Sequence, residues 1–87
     1  MNKLSVIIIN YNTPQMTLKA IDAFLMAEKD LESEIILIDN GSKERIKKEE
    51  LTKRGVKLIK NQDNLGFAKA VNQGLKAAQG QYILLLN

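Results

Sequence analysis

The chain has 87 residues, 45% hydrophobic and 26% charged, with a formal net charge of +3 and five glycines against one proline. That length accommodates one small domain, since independent domains most often run to about 100–150 residues, and the mixed composition excludes a disordered or low-complexity chain. With no cysteine and no histidine, disulfides, thiol nucleophiles, histidine acid–base pairs and nearly every zinc site are excluded, so any chemistry runs through Asp, Glu, Asn, Lys, Ser, Tyr or backbone groups.

In chain order, Leu4 to Ile9 is a short run of β-branched and aliphatic residues closed by Asn10, the pattern of a strand. Thr13 and Pro14 then predict a helix from Pro14 to Glu28, with Thr13 as N-cap, Pro14 at the first helical position, and Leu18, Ile21 and Leu25 on one face. Ile35 to Ile38 predicts a second strand. Lys43 to Arg54 after Ser42 predicts a thinly packed helix whose only large apolar residues are Ile46 and Leu51. Val56 to Ile59 is a strand interrupted by charge. Phe67, Ala70, Val71, Gly74, Leu75 and Ala78 recur at helical spacing, with Gly80 placed for a left-handed C-cap, and Tyr82 to Leu86 is the last strand.

Alternating strands and helices predict an α/β fold: a three-layer arrangement with a parallel four-stranded sheet and three helices on right-handed crossovers. The first, second and fourth strands read as nearly continuous apolar runs, as for strands covered on both faces, whereas the third carries Lys57 and Lys60 and is the expected edge. The order 3-2-1-4 follows, with ligands expected outside the carboxyl ends of the strands.

The longest apolar runs are far shorter than the ~20 residues of a membrane span, and the first residues lack a signal-peptide core, so the expected compartment is cytoplasmic. Residues 43 to 60 hold eight Lys/Arg against three Glu. With acidic residues mixed in and no aromatic among the cations, this reads as a solvated face and not as a nucleic-acid surface.

All four strands end in Asn or Asp: Asn10-Tyr11-Asn12, Asp39-Asn40-Gly41-Ser42, Asn61-Gln62-Asp63-Asn64, and Asn87. Singly, such residues cap helices and form Asx turns. Together on one rim, they offer short donors and acceptors suited to a heterocyclic base or a ribose, with Asp39 able to accept from an imide N–H or a sugar hydroxyl and Tyr11 able to stack on a base. The glycines at 41, 55, 66, 74 and 80 form neither a G-x-G-x-x-G turn nor a G-x-x-x-x-G-K-[ST] loop. A nucleotide diphosphate would therefore need a metal ion or basic side chains to neutralise it. Asp39 is the single carboxylate placed on the rim, so no metal site is expected in this chain.

These rim residues resemble a known family. Val6-Ile7-Ile8-Ile9-Asn10-Tyr11-Asn12, Ile36-Leu37-Ile38-Asp39-Asn40-Gly41-Ser42, Asn64-Leu65-Gly66-Phe67-Ala68, Asn72-Gln73-Gly74-Leu75 and Ala78-Gln79-Gly80-Gln81-Tyr82 are similar, in order and spacing, to family 2 glycosyltransferases with the GT-A type fold. The Asp-Asn-Gly-Ser and Asn-Leu-Gly-Phe-Ala motifs look more like the branch containing rhamnosyltransferases than the polysaccharide synthases.

The resemblance implies a UDP- or dTDP-sugar donor along the strand ends of a Rossmann-like half-domain. It implies Asn10, Tyr11 and Asn12 near the base, Asp39 or Asn40 on base or ribose, and Asn64, Gly66 and Asn72 lining or supporting the site. By helical projection alone, Asn72 lies peripheral to the apolar stripe. Family members follow the fourth strand with an acidic metal-binding motif. Asn87 matches its first position, so residues 1–87 are expected to be the N-terminal donor-binding part of a longer inverting transferase, inactive alone. The parent would use a divalent Mg or Mn ion, and membrane association at the inner face is compatible with it. The bare fourth strand predicts self-association. The alternative reading is a non-enzymatic α/β interaction or nucleotide-binding domain whose polar rim only caps helices.

Overall fold

A computed structural model describes residues 3–86. The element order is β1 (Leu4–Asn10), α1 (Pro14–Ala27), β2 (Ser33–Asn40), α2 (Lys48–Lys53), β3 (Val56–Asn61), α3 (Phe67–Ala77) and β4 (Tyr82–Leu86). The four strands form a parallel sheet in the order β3-β2-β1-β4, as the alternation predicts, with β3 at one edge.

Alternation along the strands sorts side chains into two cores. Val6, Ile8, Ile35 and Leu37 pack with Ile21 and Phe24 of α1 and Leu51 of α2. Ile7, Ile36 and Ile38 face the other way, onto Ala70 of α3. The helices therefore cover opposite faces, α1 and α2 on one and α3 on the other.

Each helix departs from expectation in a way that packing explains. α1 starts at Pro14, but the Thr13 side chain makes no capping bond; its hydroxyl donates instead to Asn10 Oδ1 at 3.2 Å. Its buried residues are Thr17, Ile21 and Phe24, with Leu18 and Leu25 only partly covered. α2 is shorter than Lys43 to Arg54, because the Lys43 and Glu44 amides donate to Asn12 Oδ1 (2.7 and 3.2 Å) and the chain turns helical only at Lys48. In α3 the fully buried residues are the small ones, Ala70 and Gly74, while Phe67 is 55% exposed and Leu75 is also exposed. A Cβ at Gly74 would stand 2.8 Å from Ile7 Cγ2, so α3 rides close to the sheet on its smallest residues.

Gly80 is not a left-handed C-cap, since the helix has ended by Ala78 and positive φ occurs at Gly41, Gly55 and Gly66. What Gly80 supplies is room: a Cβ there would meet Ser5 N and Oγ at 2.7 Å. β4 also differs from the expectation of a strand covered on both faces. Its place at the second edge is the one the order 3-2-1-4 predicts, but Tyr82, Ile83, Leu84 and Leu85 are exposed. No helix among the described residues is long and apolar enough to cross a membrane.

Candidate functional site

The carboxyl ends of β1, β2 and β3 lie on one rim, and register pairs Asn10 with Asp39 and Asn40 with Asn61. Strand alternation then divides the rim in two. Asn10 follows Val6 and Ile8 toward α1, and Asp39 follows Ile35 and Leu37 to the same face. Asn40 follows Ile36 and Ile38 toward α3.

On the α1 face, Asn10 is fully buried and organises the loop that follows it. Its Oδ1 accepts from Thr13 N (3.1 Å), Thr13 Oγ1 and Thr17 Oγ1 (both 3.2 Å), and its Nδ2 donates to Ser42 Oγ at 3.3 Å. Ser42 Oγ also accepts from Asn12 N at 2.9 Å and donates to Asn10 O at 3.3 Å. Asn12, at φ 57, clamps the 43–44 segment through its own amide oxygen. The loops after β1 and β2 are thus one hydrogen-bonded unit, with Ser42 joining them.

On the α3 face, Asn40 is fully engaged. Its Nδ2 donates to Asn64 Oδ1 (3.0 Å) and Gly66 O (3.3 Å), and its Oδ1 accepts from Asn61 Nδ2 (3.1 Å) and Leu65 N (3.0 Å). Asn64 Oδ1 also accepts from Gly66 N at 2.8 Å, an Asx turn entering α3. Asn61 and Gln73 form a reciprocal amide pair, each bond 2.8 Å. Gly41, at φ +80, lets the β2 loop touch this group: a Cβ there would lie 2.5 Å from the Asp63 carbonyl carbon.

Asp39 is different. Its residue is 4% exposed, yet its carboxylate has only two long contacts, Asn10 Nδ2 at 3.5 Å and Arg45 Nε at 3.4 Å. A carboxylate offers about four lone-pair sites, and leaving them undersatisfied when buried is costly. It lines a cleft of about 130 Å³ shared with Arg45, Lys48, Lys60, Leu51 and Leu58. Arg45 is held in place by bonds from Nε to Ser42 O (3.0 Å) and from Nη2 to Asn61 O (3.4 Å).

A second buried carboxylate, Glu34, sits at the opposite end of the sheet, its side chain 2% exposed. It accepts from Ser5 Oγ (2.5 Å), Lys57 Nζ (2.7 Å) and Gln79 N (2.6 Å), while Gly80 N donates to Ser5 Oγ at 2.8 Å. Burial pushes its pKa up, but the lysine, hydroxyl and amide donors outweigh that and hold it at about 2. This group fastens the chain between α3 and β4 to the sheet and faces no cleft residue.

Among the residues expected at the site, the structure thus joins Asn10, Asn12 and Asp39 on one side, and Asn40, Asn64 and Gly66 on the other. Tyr11 is 48% exposed on the rim and does not line the cleft. Asn72 is exposed on α3, as its helical projection indicates, and Asn87 lies outside the described residues. Thr17 and Arg45 carry no sequence motif, and Ser42 and Gln73 stand in motifs without an assigned role. Thr17 had a legible signal, a polar residue on the Ile21 and Phe24 face, whereas Ser42, Gln73 and Arg45 each take a partner from another segment: Asn10, Asn61 and Asn61 respectively.

Among the described residues, no cluster of three metal-ligating side chains occurs. The cleft carboxylate is surrounded by Arg45, Lys48 and Lys60, a donor set that repels a divalent cation. The described residues that line the cleft do not fit a metal centre.

The glycosyl transferase family 2 pattern matches residues 5–87, spanning every element of the sheet and its rim. The chain belongs to that family. It is also 31% identical over 84 residues to an uncharacterized glycosyltransferase of Haemophilus influenzae, covering 97% of this chain and 28% of that protein. The family 2 chain therefore spans less than a third of the length of this curated relative.

Proposed function

We propose that this chain is the donor-binding part of a glycosyltransferase, taking a nucleotide-diphosphate sugar at the cleft beside Asp39. The observation that carries the reading is a buried carboxylate with only long contacts at 3.4 and 3.5 Å, opening on a cleft at the strand ends of a family 2 chain. Asp39 is then the residue that accepts a hydrogen bond from the base or ribose. Asn40 is a structural neighbour, because its amide is already fully bonded. Tyr11 lies close by on the rim, able to fold over a bound nucleotide.

In the full transferase, an acceptor hydroxyl, deprotonated by a base, attacks the anomeric carbon as the nucleoside diphosphate departs from the opposite side, inverting that centre. Asp39 is the one carboxylate lining the cleft among the described residues. In this reading the acceptor base, and the residues that would hold the divalent Mg or Mn ion expected for the family, lie outside this cleft. The rhamnosyltransferase-like branch and a cytoplasmic setting at the inner membrane face are the finer parts of the same reading.

Titration of the labelled chain with UDP or dTDP tests it. Saturable amide shifts at Asp39, Arg45 and Tyr11 are expected; their absence at millimolar nucleotide would overturn the reading in favour of an interaction domain with a merely structural rim. That alternative draws its support from the closed network around Asn40.

The edge strand β4 favours self-association. Its apolar side chains are exposed on both faces and its outer edge is unpaired in the sheet, an arrangement that templates pairing with another chain. A second copy paired along β4 gives a concentration-dependent dimer in sedimentation, and a monomer at high concentration would contradict it.

A further inference from the structure

We propose that Glu34 and Ser5 form a latch at the amino end of the sheet that decides whether β4 stays docked, and that β4 opens as a separate unit once the latch is removed. Packing alone holds β4 weakly. It pairs in its sheet with β1 alone, over five residues, and Tyr82, Ile83, Leu84 and Leu85 are 63%, 45%, 38% and 38% exposed. Leu86 is the β4 residue that packs against a buried cluster. Segments with so few buried apolar contacts lie at the low end of local stability and open before the rest.

The latch compensates for that. Glu34 on β2 and Ser5 on β1 are register partners, buried at 5% and 0% exposure. The carboxylate reaches across β1: its Oε2 accepts from Ser5 Oγ at 2.5 Å and from Gln79 N at 2.6 Å, and Ser5 Oγ accepts in turn from Gly80 N at 2.8 Å. Two consecutive amides of the connection into β4 thus end on one anion and on the hydroxyl bonded to it. Bonds to an ionised acceptor are roughly twice as strong as neutral ones. Lys57 Nζ, 2.7 Å from Oε1, neutralises the carboxylate from the β3 side. Gly80 lets the connection lie flat on β1, since a Cβ there would stand 2.7 Å from Ser5 N and Oγ. Neither Glu34 nor Ser5 lines the Asp39 cleft, so the latch acts on the strand and not on the cleft residues. At its other end β4 places Leu86 beside Ile8, on the approach to Asn10 and the rim. An open latch withdraws that strand end from the rim.

Hydrogen exchange followed by NMR tests this, at a concentration where sedimentation shows a single species. Tyr82 N donates to Lys3 O at 3.0 Å, and alternation turns Leu84 N toward β1 as well, so these two amides report the docking of β4 while Ile36 and Leu37 report the centre of the sheet. In Glu34→Gln one acceptor oxygen becomes a donor amide, and in Ser5→Ala the Gly80 amide loses its partner. In both variants exchange at Tyr82 and Leu84 should rise about tenfold or more relative to Ile36 and Leu37. Ser42→Ala, which weakens the fold at the opposite end of the sheet, should leave that ratio at the parent value. A ratio unchanged in the folded latch variants, or raised equally by Ser42→Ala, overturns the proposal. If Glu34→Gln fails to fold, Ser5→Ala alone decides it.

Discussion

Asp39 and Asn40 are consecutive residues at the end of β2, both buried at 4% and 3% exposure, and they project from opposite faces of the sheet. Asp39 meets Arg45 at 3.4 Å beside an open cleft. Asn40 is locked between Asn61, Asn64 and the entry to α3. Two side chains that sequence leaves equivalent thus have separate duties, one toward ligand and one toward the fold.

Alanine at each position separates those duties. Asn40→Ala strips partners from Leu65 N, Asn61 Nδ2 and Asn64 Oδ1, and should lower stability by about 1–3 kcal/mol in urea unfolding. Asp39→Ala should cost less stability, because the contacts it removes are long, and should abolish the nucleotide-induced amide shifts.

Ser42→Ala cuts the joint between the β1 and β2 loops. It orphans Asn12 N, bonded at 2.9 Å, and leaves Asn10 Nδ2 only its 3.5 Å contact with Asp39 Oδ1. A loss of about 1–2 kcal/mol is expected, with amide-exchange protection falling at Asn12 while the β2 core keeps its own.

Gly41→Ala places a Cβ 2.5 Å from the Asp63 carbonyl carbon at a φ of +80. Backbone cannot yield as a side-chain tip does, so strain and overlap add, and a loss of about 2–4 kcal/mol is expected. The same substitution at Gly55, also at positive φ but with open space around it, should cost less. Urea midpoints of the two variants measure the difference.

Glu34 gives the fold an acid-sensitive fastening. Its pKa falls from an ordinary 4.5 to about 2 in the folded chain, so the folded state holds the charged form more tightly than the unfolded state does. The resulting stabilisation, on the order of 3 kcal/mol, is fully present above the unfolded value and is lost as pH falls toward about 2. Glu34→Gln should therefore be less stable than the parent near neutrality, and the gap in urea midpoint should narrow as pH drops from about 5 toward 2. A gap that stays constant with pH would show that packing, and not charge, accounts for it.

The strands and their order were legible because the signals are local: aliphatic runs bounded by Asn, Asp and Gly, with charge marking β3 as an edge. The helices were legible as helices but not in how they pack. Ala70 and Gly74 turned out to form the contact of α3, with Phe67 and Leu75 left outward, since close approach selects small residues over large ones. Residues Lys43 to Lys47 looked helical until Asn12, a remote residue, took the Lys43 and Glu44 amides.

For the site, sequence alone determined that polar residues gather at the carboxyl ends of a parallel sheet, and its ordered motifs resembled the family that the chain belongs to. Only the tertiary structure decided which of them is free to act. Alternation assigns Asp39 and Asn40 to opposite faces, but what satisfies each depends on groups far along the chain: Leu65, Asn61 and Asn64 for Asn40, and little beyond Arg45 for Asp39. Hydrogen bonding is short-ranged in space and indifferent to separation in sequence, so the spare capacity of a side chain becomes visible only once its neighbours are in place.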